Sequence, residues 1–126
     1  MVRGMLEAFN RGDSDAVVAV FAEDCELHEP PEMPDSPTLG FRGYDGIREW
    51  MEKLRGVADV RFELGRCIAT GDVIVSEWTG SGRGEASGVP LEWSTFTVVH
   101  IRKGKIAKAQ AFLSMAEALE AAGLSE

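Results

Sequence analysis

The chain has 126 residues, 44% of them apolar and 27% charged, which suits one domain with a substantial core. Lys and Arg number 13 against 21 Asp and Glu, a net charge of -8, so nucleic acid and anionic membranes are poor partners. No apolar run approaches the ~20 residues of a membrane span, the opening MVRGMLEAF holds no signal-peptide core, and the two cysteines, which form no metal spacing and no disulfide framework, point to a reducing cytoplasm.

Val2, Met5, Leu6 and Phe9 recur at helical spacing and stop at Asn10-Arg11-Gly12, where a glycine can end a helix. This helix opens without a cap, which leaves room for an upstream extension of the natural chain. Asp13 or Ser14 caps a second helix with Ala16, Val17, Val20 and Phe21 on its buried face. FAEDCELHEPP (21–31) reads as a helix end, a turn and a strand stopped by Pro30 and Pro31. Period-two alternation puts Cys25, Leu27 and Glu29 on one side and Glu26 and His28 on the other. The first row is mostly apolar and therefore inward, which makes Glu29 a carboxylate at the inner end of a greasy row. Residues 30–40 hold Pro30, Pro31, Pro34 and Pro37 and no regular pattern, a loop at the domain edge with the makings of a lid.

Ile47, Trp50, Met51 and Leu54 form a core-facing stripe on a helix from Tyr44 to Arg55, ended by Gly56. From there to Ser114 the pattern is strand-like. Residues 59–70 place Val60, Phe62, Leu64 and Ile68 on one face, and Gly71-Asp72 turns into 73–80. There the preferred phase directs Val73, Val75, Glu77 and Thr79 inward and Trp78 outward; the opposite phase, with Glu77 exposed and Trp78 buried, stays open. Residues 91–102 place Leu91, Trp93, Thr95, Thr97, Val99 and Ile101 on one face. Lys103-Gly104 turns into 105–113, whose inward row is Ala107, Ala109, Ala111 and Leu113. A short helix over 115–124 ends the chain.

This order makes an α+β fold, a single domain over 1–126. It is expected to be a cone-shaped barrel: a strongly bent, mostly antiparallel sheet wrapped around the three helices of the N-terminal half, with a short C-terminal helix. Three alanines in one inward row leave volume for a cavity; the competing reading is that helix side chains fill it. The outward row Phe96, Val98, His100, Gln110 and Phe112 is too apolar for water, which predicts a homodimer through that face. Cys25 and Cys67 lie in strands and read as buried free thiols. His28 and His100 are far apart and lack a paired carboxylate spacing, so no metal is expected. GSGRGEASG (80–88) joins two strands rather than opening a helix, so no dinucleotide site follows, and no cofactor is expected.

FNRGD (9–13), VFAEDCELHEP (20–30), FRGYDGIREWM (41–51), SEWTGSG (76–82) and VVHIRKGKIAKAQAFL (98–113) span nearly the whole chain. In this order and spacing they resemble the nuclear transport factor 2-like superfamily, in its SnoaL-like and ketosteroid-isomerase-like branch. The resemblance implies an α+β cone, a deep apolar pocket and usually a homodimer, but no single chemistry. It sets Glu29-Pro30 on the general-base aspartate and following proline of ketosteroid isomerases, and Trp50 on their pocket-lining aromatic. The two oxyanion donors of those enzymes fall on Met5 and Val99, neither of which can donate. Loss of even one such donor costs ~10²–10³ in rate, so ordinary ketosteroid isomerisation is not expected.

The residues and the resemblance together lead to a pocket for a small hydrophobic or polyketide-like molecule. Glu29 is its general base, or else a rim carboxylate in water. Met5, Phe9, Trp50, Glu77, Thr97, Val99 and Ala109 are its ligand-binding residues, with Thr97 a weak polar contact in place of the lost acid. With no cation in view for Glu29, Glu29→Gln is expected to leave the protein equally or more stable. Three functions follow: a cofactor-free isomerase, cyclase or lyase; a non-catalytic module binding a hydrophobic ligand; or a structural dimer whose cavity is vestigial.

Overall fold

The N-terminal stripe becomes α1 (Val2–Arg11) in the computed structural model, which describes residues 1–32, 36–57, 59–84 and 88–124. Gly12 ends α1 in the left-handed conformation (φ 77°) that a Cβ resists, and the Gly12 and Asp13 N–H groups donate to the Phe9 and Ala8 carbonyls at 3.0 and 2.9 Å. Of the two cap candidates, Asp13 serves: its carboxylate accepts the Ala16 N–H at 3.1 Å at the start of α2 (Ser14–Val18). The stripe of the third helix, α3 (Gly43–Val57), buries Ile47, Trp50 and Met51, and the helix runs through Gly56 rather than stopping there.

The strands are β1 (Phe21–His28), β2 (Phe41–Arg42), β3 (Arg61–Thr70), β4 (Val73–Arg83), β5 (Pro90–Arg102) and β6 (Lys105–Phe112). They form one sheet in the order β2-β1-β6-β5-β4-β3, antiparallel except for the parallel pair β1 and β6. The expected meander is β3 to β6. As expected, the sheet is strongly bent and mostly antiparallel, and it stays open with β2 and β3 as its edges rather than closing into a barrel. One feature differs from the sequence reading: the short strand β2 stands where a loop and a helix start were expected. Gly40 (φ 77°) prepares it: a Cβ there would lie 2.7 Å from the His28 ring, and the bare backbone lets the chain fold back so that Phe41 pairs Leu27.

Edge strand β3 is held by Asn10, whose side-chain amide donates to the Phe62 carbonyl and accepts the Phe62 N–H, both at 2.8 Å. One amide thus does for one residue what another strand would do. Helices α1 to α3 cover one sheet face, over a core that includes Phe21, Cys25, Leu27, Phe62, Val99 and Ile106.

The other face is covered by α4 (Met115–Ala121), capped by Ser114, whose Oγ accepts the Glu117 N–H at 3.2 Å. Ala118 and Leu119 of α4 pack on Val75 and Val98, with Phe96 and Phe112 at the margin. This corrects the outward row: Val98 is 1% exposed, covered by its own chain's terminal helix, while Phe96, His100 and Phe112 stay partly exposed.

Bulges account for the other departures. One extra residue between Leu64 and Cys67 inverts the rest of β3, leaving Ile68 outward and 40% exposed. Another lies opposite the step from His100 to Ile101, so that Ile106 and not Ala107 joins the core. Leu113 lies past the end of β6 and is 48% exposed. Cys25 is buried, which pushes its thiol pKa up, whereas Cys67 is exposed, contrary to expectation.

Candidate functional site

The inner row of β1 ends at Leu27 and Glu29, opposite Trp50 and Leu54 of α3. Phe62 of β3, Trp78 of β4, Trp93, Thr95 and Thr97 of β5, and Ala109 and Ala111 of β6 complete the wall of a cavity of ≈ 40 Å³. That holds about three waters, so the alanine row has left less room than expected. Indoles from the strands, rather than helix side chains alone, take up the space.

Phe62 is the hub of this wall. Its ring centroid lies 5.1 Å from Phe9, 6.4 Å from Trp50, 6.0 Å from Trp78 and 6.3 Å from Trp93, mostly edge-on. The Trp78 N–H donates to Ser76 Oγ at 2.9 Å, and that hydroxyl donates onward to the Thr97 carbonyl at 3.4 Å. Thr97 Oγ1, by contrast, is buried with no hydrogen-bond partner among the described residues. A buried hydroxyl left so is uncommon, since its desolvation is uncompensated.

The polar end of the cavity is built on Glu29, whose side chain is only 5% exposed. Its Oε1 accepts Lys53 Nζ at 2.6 Å and Ser36 Oγ at 2.9 Å. Oε2 takes no hydrogen bond from the described residues. Glu29 is therefore not a rim carboxylate in open water, and the sequence reading that found no cation for it is corrected by Lys53. Among the described residues, both hydrogen bonds to the carboxylate thus converge on one of its oxygens. Lys53 follows Trp50 by one helical turn, and its ammonium also stands 6.0 Å from the Phe41 ring centre. The i, i+3 spacing from the pocket tryptophan was the available signal.

His28 and Pro30 also border the cavity beside Glu29, and the His28 ring is engaged with Glu26. Its Nε2 lies 3.2 Å from Glu26 Oε1, and Arg42 Nη2 approaches the same oxygen at 3.2 Å. The hydrogen bond to His28 holds the Glu26 carboxyl below the ordinary glutamate value, with a smaller pull from Arg42.

Of the residues expected to bind ligand, Trp50, Thr97 and Ala109 border the cavity together with Glu29. Met5, Phe9 and Val99 are buried in the core behind it, and Phe9 reaches the wall only through its ring contacts with Trp50 and Phe62. Glu77 lies on the opposite face, where its Oε1 accepts the Arg66 N–H at 3.4 Å. The preferred phase of β4 is thus reversed: Trp78 is inward and 4% exposed. Both rows of β4 are apolar because α4 covers the outer one, so alternation alone could not choose between them. The pair Ser76 and Trp78 held the missing clue, since a buried indole N–H needs an acceptor on its own row.

The family model described as a SnoaL-like domain matches residues 2–109. Among solved structures, the chain is similar to a nuclear transport factor 2-like protein of unknown function from Burkholderia pseudomallei, with 22% identity, 94% of this chain and 92% of that one covered, and a TM-score of 0.78. It is also similar to TerC, co-crystallised with polyporic acid (19% identity, 94% and 92% covered, TM-score 0.78). A Mycobacterium tuberculosis protein in complex with estradiol-17beta-hemisuccinate aligns at 12% identity over 90% of this chain and 91% of that one, with a TM-score of 0.79. No curated protein is matched by sequence. At these identities the structural likeness establishes the fold.

Proposed function

The chain belongs to the SnoaL-like family, and from that premise we propose that it binds a small, mostly apolar molecule bearing an oxygen, and moves a proton on it through Glu29. The observation that carries this reading is Thr97 Oγ1, an orphan hydroxyl in a wall of indoles and alanines. An oxygen on a bound ring would satisfy it. Structures of similar fold holding polyporic acid and estradiol-17beta-hemisuccinate support uptake of an organic molecule. The reaction class is a cofactor-free isomerisation, cyclisation or elimination: Glu29 Oε2 takes a proton from carbon while Lys53 and Ser36 hold Oε1 in place. A cavity of ≈ 40 Å³ is smaller than one aromatic ring fills, so the ligand is at most a single ring and enters by displacing part of the wall, where Trp93 is only half-buried.

Thr97→Val keeps the shape and removes the hydroxyl. Without ligand, the variant is expected to gain about 1 kcal/mol in urea melts, because the unpaired group is gone. It is also expected to bind phenol more weakly than the unmodified protein while binding benzene as before. Equal phenol affinity in the two proteins would remove Thr97 as the oxygen contact and the reading with it.

A second reading, a non-catalytic binding module, is favoured by Met5 and Val99, which stand where the resembled isomerases carry their oxyanion donors. It keeps the pocket and gives up the proton transfer. In either reading we place the chain in the cytoplasm, whose reducing conditions suit two free thiols, one of them exposed. We also propose a homodimer through Phe96, His100 and Phe112 beside α4, without the buried Val98. Sedimentation at micromolar concentration is expected to show a dimer, and a monomer alone would end that proposal.

A further inference from the structure

Of the three indoles around the cavity, two are fixed. Trp78 is buried and hydrogen-bonded to Ser76. Trp50 is buried and lies nearly parallel to Phe62, at 18°. Trp93 is different: it is only half-buried, its N–H has no hydrogen-bond partner among the described residues, and its ring meets Phe62 edge-on at 87°.

What lies beneath Trp93 explains how it comes to sit there. Gly80 is its direct cross-strand partner between β4 and β5. A Cβ on Gly80 would stand 2.5 Å from Trp93 Cε2 and 2.6 Å from Cζ2, distances at which something must move. Gly80 is not among the residues with positive φ, so no turn or left-handed backbone calls for a glycine there. The close approach of the indole does. The ring therefore rests on bare backbone at the partly exposed side of the wall, and borders the same small cavity as Thr97.

The geometry points to Trp93, seated on Gly80, as the residue that sets the size of ligand the cavity accepts. This rests on the small-molecule reading above and goes further, because it assigns the ligand class: at most one aromatic ring with an oxygen while the indole is present and must give way to it, and two fused rings once it is removed. Phe62, Trp50 and Trp78 cannot do this job, since each is packed on several sides and moving one disturbs the others. Trp93 alone of the four combines partial exposure with a seat made of backbone.

The test compares phenol and 2-naphthol by titration calorimetry on the unmodified protein, Trp93→Phe, Trp93→Ala and Gly80→Ala. The unmodified protein is expected to favour phenol. Trp93→Ala is expected to bind 2-naphthol at least ~10-fold more tightly than the unmodified protein does, with phenol changed much less and Trp93→Phe intermediate. Should the alanine variant fail to fold, the phenylalanine variant carries the same comparison. Gly80→Ala keeps every cavity side chain and fills only the seat, so the naphthol-to-phenol ratio is expected to shift there too. An unchanged ratio in the Trp93 variants or in Gly80→Ala would overturn the proposal while leaving the binding reading intact. Failure of every protein, including the unmodified one, to bind phenol would overturn both.

Discussion

Phe62→Ala is expected to cost about 3–5 kcal/mol of stability, the range for deleting a large aromatic from a packed core. Phe62 is buried and touches four other aromatic rings, Phe9, Trp50, Trp78 and Trp93, which meet nowhere else in common. The cost belongs at the upper part of the range for a backbone reason. Asn10 grips both the N–H and the carbonyl of Phe62, so β3 cannot slide inward to close the void. A domain of this size commonly has ~5–15 kcal/mol in all, so the variant loses a large share of its margin. Urea melts followed by tryptophan fluorescence read the change directly, because three indoles surround the site. A loss below about 1 kcal/mol would mean that the ring contacts do not hold these elements together.

How far the sequence could be read follows from the physics of each element. The stripe of α3 was legible because helical periodicity survives at 3.6 residues whatever the helix packs on. Gly12 and Asp13 were legible because caps are local. Strand phase was not, wherever a bulge inserted one residue: Ile68 and Ala107 each lie past such a step, and one residue inverts every later side chain. The outer sheet face was read as a dimer contact because its apolar row was plain, whereas the docking of α4 on Val75 and Val98 is a long-range event that no window of residues contains. Strand β2 was hidden for the same reason, since two residues carry no period.

The site divides along the same line. Glu29 and Trp50 were found because one ends an alternating row and the other lies on a helical stripe. Trp78 was lost with its strand's phase, and Met5 and Val99 were carried into the pocket by resemblance although they pack behind it. Lys53 was missed because its role depends on how α3 sits beside β1. The contact between those two elements places an ammonium on a carboxylate 24 positions away in the chain. Thr97 was named as a weak polar contact, and the structure adds that its hydroxyl is unpaired.

That ammonium reverses one expectation outright. With no cation in view, Glu29→Gln was expected to be neutral or stabilising; with Lys53 Nζ at 2.6 Å it is expected to cost stability at neutral pH, because the amide leaves the ammonium against a neutral group. Lys53→Met is expected to cost more, about 3 kcal/mol, at the low end of the range for breaking a buried pair. It strands the Glu29 carboxylate, 5% exposed, with Ser36 as its remaining donor among the described residues. The figure stays at the low end because the lysine side chain is 25% exposed, so water already screens part of the attraction. Glu29→Leu combined with Lys53→Met removes both charges and keeps apolar bulk, and is expected to recover most of the loss. Thermal and urea unfolding of the two single variants and the double variant form the cycle. Additive losses would show that the two side chains are energetically independent despite their separation. The same proteins separate the two functional readings. Glu29→Gln is expected to bind phenol as the unmodified protein does and to abolish exchange of a carbon-bound proton in a bound carbon acid, followed by NMR in heavy water. Exchange that continues undiminished in Glu29→Gln would take the base away from Glu29 and leave the cavity as a binding site alone.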